Sequence, residues 1–166
     1  TWIKNNIGSS SNCHNSTPPE LVISKIHYHP LETSLYSSKK LEFLEITNNS
    51  NINVNLTGFY LKELGISYQF PVNSSIAANQ KIYLCNDTDT FENFYGFSPF
   101  GEYYRSLSNK THKILLADAF GNTIDEVQYF DDSPWPTNAD GFGYYLQLNN
   151  VNSDNNIASN WTIGNQ

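Results

Sequence analysis

From Leu21 onward the chain never runs far before a turn signal stops it, and that punctuation excludes most folds. Leu21, Val22, Ile23 and Ile26 form a first apolar run that stops near Pro30. Residues 41–46 follow with apolar side chains on both faces, the pattern of a central strand in a sandwich. Asn48-Asn49-Ser50-Asn51 turns the chain into a strand over residues 54–61, where Gly58 marks a bulge or a close backbone approach. Further strands are read over 66–70, ended by Pro71, and over 81–85 after the turn Ala77-Ala78-Asn79-Gln80. Residues 113–118 and 123–129 form a hairpin around Ala119-Phe120-Gly121-Asn122, with Gly121 at a left-handed position. Residues 143–148 and 161–163 supply the last strands.

One short helix fits 90–95, with Asp89 as its cap, Glu92 completing a capping box and Gly96 ending it. Eleven Tyr and ten Phe against no Met favour a pleated, half-buried surface. Strand signals at this density, with one short helix, predict an all-β sandwich.

At 166 residues the chain is long enough for one domain with a core. Residues 1–19, with their Gly-Ser-Asn stretch and Pro18-Pro19, read as a linker or the end of a preceding domain; Trp2-Ile3 is an apolar outlier there. The domain itself is expected over 20–166. Charged residues make up 15%, against about 25% in ordinary soluble domains. Asn, Ser and Thr fill the remaining polar surface, which leans towards an extracytoplasmic, secreted or cell-surface location. A net charge of -7, with Lys39-Lys40 as the nearest thing to a basic cluster, argues against a nucleic-acid partner. No apolar run approaches the roughly 20 residues of a membrane span. The start at Thr1, without a signal-peptide pattern, suits a mature form or an excised segment. Cys13 and Cys85 are the two cysteines; they read either as one bridge stapling the tail to the sheet or as two free thiols.

Little in the chain resembles catalytic machinery. Glu42 and Glu45, three apart on a strand, point to opposite faces and cannot flank one substrate; one of them is expected in a hydrogen bond or ion pair at the sandwich edge. His27 and His29 have the spacing of a strand-borne metal pair, or of a half-exposed pair beside a turn. The turns at Asn86-Asp87-Thr88-Asp89 and Asp131-Asp132 are rich in oxygen ligands, but neither carries a full calcium loop. The reading is therefore no metal and no cofactor, with calcium as the alternative. Neither a nucleophile elbow nor a phosphate loop is present. Aromatics crowd the segment after the helix start. Phe91, with Phe94 or Tyr95, falls at helical spacing and should face inward. Phe97, Phe100, Tyr103 and Tyr104 are the candidates for contact with a sugar face or a partner's apolar groove.

Motif order narrows this further. Val22-Ile23-Ser24-Lys25-Ile26-His27-Tyr28-His29-Pro30 opens the domain. Glu42-Phe43-Leu44-Glu45-Ile46-Thr47-Asn48 and Leu56-Thr57-Gly58-Phe59-Tyr60-Leu61 follow it. Then come the hairpin, Pro134-Trp135-Pro136, Ala139-Asp140-Gly141 and Asn160-Trp161. In this order they resemble the lamin tail domain family over residues 20–163, with Lys25, His29 and Phe59 departing from its usual Glu, Asn and Trp. The resemblance implies an immunoglobulin-like β-sandwich in which Glu42, Glu45, Asn48, Gly58, Trp135, Asp140, Gly141 and Trp161 are structural and none is catalytic. Without a preceding coiled-coil rod the chain looks bacterial. Bacterial members sit in tandem with other modules of secreted or surface proteins, sometimes beside hydrolases or spore-coat-like kinases. The implied role is a non-catalytic docking module that binds protein or glycan through its loops, in the company of flanking domains. The alternative is a carbohydrate-binding accessory domain of a secreted hydrolase.

Overall fold

A computed structural model describes residues 20–62 and 65–166. Cys13 and the expected linker lie outside the described residues, and with them the bridge between Cys13 and Cys85. The strands are β1 (Leu21–His27), β2 (Phe43–Asn48), β3 (Val54–Asn55), β4 (Tyr60–Leu61), β5 (Tyr68–Gln69), β6 (Ser75–Ile76), β7 (Lys81–Cys85), β8 (Gly101–Glu102), β9 (Thr111–Ala117), β10 (Thr123–Phe130), β11 (Tyr144–Leu148) and β12 (Trp161–Asn165); one helix, α1, spans Thr88–Tyr95. A six-stranded sheet runs in the order β12-β11-β1-β2-β7-β8 and faces a four-stranded sheet β10-β9-β4-β5; β3 and β6 form a separate ribbon. All pairs are antiparallel except β7 with β8.

Between the sheets lies one apolar core. Leu44 and Ile46 of β2 meet Ile114 and Leu116 of β9 and Val127 of β10 there, with Trp135 and Trp161 at one margin. The other face of the six-stranded sheet is covered as well. Phe43 packs against Cys85 and Phe91, with Tyr83, Tyr95 and Tyr145 around them, so α1 forms a partial third layer. This explains why β2 is buried at every position: it is interior to its sheet and covered on both faces, as the apolar run at 41–46 predicts.

Several boundaries differ from the sequence reading, each for a local reason. Residues 54–61 are two short strands in different sheets. Asn55 Oδ1 accepts from the Thr57 N–H (2.9 Å), Phe59 donates to Leu56 (2.9 Å), and Gly58 sits at φ +79°. A Cβ at Gly58 would stand 2.9 Å from that of Ala119, so the turn also lets the hairpin tip approach. Helix α1 begins earlier than expected, because Asp87 rather than Asp89 is the cap: its carboxylate accepts from the Thr90 N–H at 2.9 Å. Gly96 closes the helix in the left-handed region, as expected. Asp87→Ala is expected to cost about 1 kcal/mol of stability and Asp89→Ala only a few tenths, read as shifts of the urea midpoint.

Strand β1 also links the two sheets. The register against β2 shifts in a bulge between Ile23 and Lys25, and the Ile23 N–H points to the β11 side of the strand, where β11 pairs only with Lys25 and Ile26. Asp125 of β10 takes that N–H at 2.7 Å and also accepts from Asn155 Nδ2 at 2.8 Å. Burial pushes the Asp125 carboxyl up to about 6 against the pull of these two donors.

Candidate functional site

The family-pattern residues are all built into the scaffold. Neither Glu42 nor Glu45 lies at the sandwich edge; both are buried, on opposite sides of the sheet. Glu42 Oε2 accepts from the Leu107 N–H (2.9 Å) and the Tyr103 hydroxyl (3.2 Å). Burial, opposed by those two donors, pushes its carboxyl up to about 8. Glu45, 1% exposed, faces the aromatic layer. It accepts from Lys25 Nζ and Lys81 Nζ, each at 3.1 Å, from Ser24 Oγ at 2.9 Å and from the Tyr83 hydroxyl. Ser24 and Lys25 are neighbours in sequence yet both reach Glu45, because the β1 bulge breaks the normal alternation. Burial alone would raise the Glu45 carboxyl, but these hydroxyl and ammonium groups outweigh it and hold it below the usual range.

Asn48 is fully buried and fully used. Its amide donates to the carbonyls of Ile52 (2.8 Å) and Ala77 (2.9 Å), and its oxygen accepts from the Ser50 N–H (3.1 Å). Trp135 lies against Trp161 with ring centroids 5.8 Å apart, and Trp161 Nε1 donates to Asn155 at 2.8 Å. Asp140 meets His29 Nδ1 at 2.6 Å, and the Gly141 N–H donates to the His29 carbonyl.

That contact also separates the two histidines proposed as a pair. His29 turns to Asp140, while His27 is sealed under Phe43 and Tyr145 with Nδ1 against the Tyr95 hydroxyl at 3.1 Å. Burial first, then the nearby His29, lowers the His27 imidazole to about 3. In the oxygen-rich turns, Asp87 serves Thr90 and Lys40, and Asp131 holds Lys110 at 2.7 Å. Among the described residues, no three His, Cys, Asp or Glu side chains converge on a metal position.

The four aromatic candidates separate. Tyr103, 2% exposed, is a core residue committed to Glu42, which corrects its reading as a contact residue. Phe100 packs against Phe70 beside the same core (5.7 Å between centroids). Phe97, 44% exposed, closes the aromatic layer edge-on to Tyr83 and Phe91. Tyr104 alone stands well out, 77% exposed. The split follows from extended backbone, which sends successive side chains to opposite sides. Tyr103 donates its N–H to Cys85 (2.9 Å) in one sheet; Tyr104 exchanges backbone bonds with Ser67 (2.8 and 3.2 Å) in the other.

Where the chain crosses between the sheets, it opens a cleft of about 670 Å³ lined by Tyr60, Ser67, Tyr68, Gln69, Glu102 and Tyr104. Each wall is fixed. The Tyr68 ring lies over the bare backbone of Gly101, where any Cβ would collide with it. Phe70 meets Tyr68 edge-on at 4.9 Å. Glu102 is held by the Thr88 N–H at 2.9 Å. Three phenol rings with a carboxylate, an amide and a hydroxyl suit a ligand with apolar faces and many hydroxyls. Among the described residues, Glu102 is the carboxylate in the lining. The sequence reading found Tyr104 but missed Tyr60 and Tyr68, which lie on other strands and carry no local signal.

Two stacked, mainly antiparallel sheets around one core define an immunoglobulin-like β-sandwich. The family model for the lamin tail domain matches residues 14–131, and the chain belongs to that family. An immunoglobulin-like domain of this kind is consistent with a module that does no chemistry of its own. The matched stretch ends at the close of β10, whereas β11 and β12 beyond it complete the sheet by pairing onto β1. No curated protein matches the chain.

Proposed function

We propose that this domain, residues 20–166, is a non-catalytic docking module of a larger secreted or cell-surface bacterial protein, and that it holds a glycan in the cleft of Tyr60, Tyr68 and Tyr104. The observation that carries the reading is Tyr104, an exposed ring that lines one cleft with Tyr60, Tyr68, Gln69 and Glu102 on a backbone crossing between the sheets. The low charged share and the Asn/Ser/Thr-rich surface support an extracytoplasmic setting, with flanking domains of the same chain as neighbours. The acidic balance disfavours nucleic acid, and no described helix is long and apolar enough to cross a membrane. The module works without a cofactor.

A glycan array followed by calorimetry on the best ligand tests this. Tyr104→Ala is expected to weaken binding about tenfold or more, the equivalent of ~1.4 kcal/mol. Phe120→Ala, at the 91% exposed hairpin tip, should leave binding unchanged. An array without hits, or equal effects of the two variants, overturns the reading.

A further inference from the structure

A β-sandwich must deal with the outer strands of its sheets, whose unpaired N–H and C=O groups invite another chain. Here three of the four are closed. Strands β5 and β8 are two residues each and are joined across the sheets by the Ser67–Tyr104 pair. Strand β10 is plugged by one side chain: Asn156 donates to the Glu126 carbonyl (2.9 Å) and accepts from the Gln128 N–H (3.2 Å), standing in for a peptide group.

Among the described residues, strand β12 has no such cover. Asn149 donates to the Asn160 carbonyl (2.8 Å) and Gln166 to that of Gly143 (2.9 Å), in register with the β11–β12 pairing. Alternation along an antiparallel ladder then turns Thr162 and Gly164 towards β11, and Trp161, Ile163 and Asn165 outwards. The Trp161 N–H is used by Ala158. Among the described residues, the Ile163 and Asn165 N–H and C=O groups and the Trp161 C=O have no partner. None of the usual blunting devices is present, since residues 161–165 hold no charge, no proline and no bulge. Beside this strand runs a cleft of about 380 Å³ lined by Ser133, Trp135, Pro136, Thr137, Trp161 and Ile163.

We propose that β12 is a docking strand for an extended, basic peptide segment of another protein. The segment adds as a seventh strand, bonding to Ile163 and Asn165 and setting one side chain into the cleft against Trp135 and Pro136. Two features select this occupant. The outward groups repeat every second residue, a spacing that extended backbone matches and a helix does not. The chain carries a net charge of -7, and exposed Asp132 directly precedes the cleft residue Ser133, so a basic segment is favoured over a second copy of this acidic chain.

The test uses the full chain and a displayed library of random nine-residue peptides, with the enriched peptides made synthetically. They are expected to be free of proline and rich in Lys or Arg alternating with β-branched residues. At saturation they should slow amide exchange at Ile163 and Asn165 at least tenfold. Thr162→Lys, on the exposed face of the edge strand, should weaken binding about tenfold with the melting temperature unchanged. Tyr104→Ala should have no effect, which keeps this result separate from the fate of the glycan cleft. Absence of enrichment, protection elsewhere than β12, or the same two amides already protected in a dimer of the free protein overturns the proposal.

Discussion

Replacing Glu45 by glutamine is expected to destabilise the domain by about 3 kcal/mol at neutral pH, measured by urea denaturation. The substitution keeps the shape but removes the charge that holds Lys25 Nζ at 3.1 Å. Lys25 has little water to turn to: its side chain is 17% exposed, and its ammonium sits over the rings of Tyr145 (5.1 Å) and Tyr83 (5.8 Å). Breaking a buried pair by deleting one partner leaves an uncompensated charge and typically costs about 3–5 kcal/mol; the residual exposure of Lys25 places this case at the low end. Lys81, half exposed, offers the internal control. Lys81→Gln should cost less than about 1 kcal/mol, because a solvated partner of a salt bridge contributes little. Equal losses for the two variants would show that Glu45 is not the centre of this network.

Glu42→Gln should behave in the opposite sense, and its effect should depend on pH. The Glu42 carboxyl is raised from its ordinary 4.5 to about 8, so between those values the folded state holds a proton that the unfolded chain has released. Its contribution to stability is therefore fully present below about 4.5 and is lost as pH rises through 8. Below about pH 7 other groups intervene. His27, lowered to about 3, and His112, also lowered by burial, make stability rise with pH and oppose Glu42 and Asp125. From 7 to 8 Glu42 dominates the shifted groups of the described residues, because the histidines of the unfolded chain are by then largely neutral. The native domain should then lose about 1 kcal/mol across that window, the limiting slope of ~1.36 kcal/mol per pH unit falling off as pH approaches 8. Glu42→Gln, neutral throughout, should flatten this limb and leave the shape of the curve unchanged only below about pH 4.5. A native stability curve that is level from pH 7 to 8 would rule out a raised Glu42.

These two residues show how far the sequence could be read. Their presence in one strand, three apart and on opposite faces, is visible in the pattern at 42–48. That both would be buried is not, because the cover comes from elsewhere: α1 and Tyr145 on one side, Tyr103 and Leu107 on the other. Features that depend on backbone conformation were readable. Gly58 and Gly96 stand where left-handed turns are needed, and β9 and β10 pair around Gly121 as expected. What stayed hidden depends on partners distant in sequence. Asp125 takes the Ile23 N–H from 102 residues away, and Asn156 covers a strand 30 residues away. The cleft escaped notice for the same reason, since Tyr60, Tyr68 and Tyr104 converge only once the two sheets are joined at Ser67. The choice between Asp87 and Asp89 was a different failure: both suit a helix start, and the ion pair from Lys40 to Asp87 is not a local signal.

Strand direction carries one more consequence. Strands β1 and β12 both run antiparallel to β11 between them, so they point the same way, and Leu21 and Asn165 lie at opposite ends of the sheet. A tether attached before one and after the other would draw along the strand axes. Its pull would shear the β1–β11 and β11–β12 ladders with every rung loaded together, rather than peeling them one rung at a time. A pull of that kind would meet these ladders in their stiff direction.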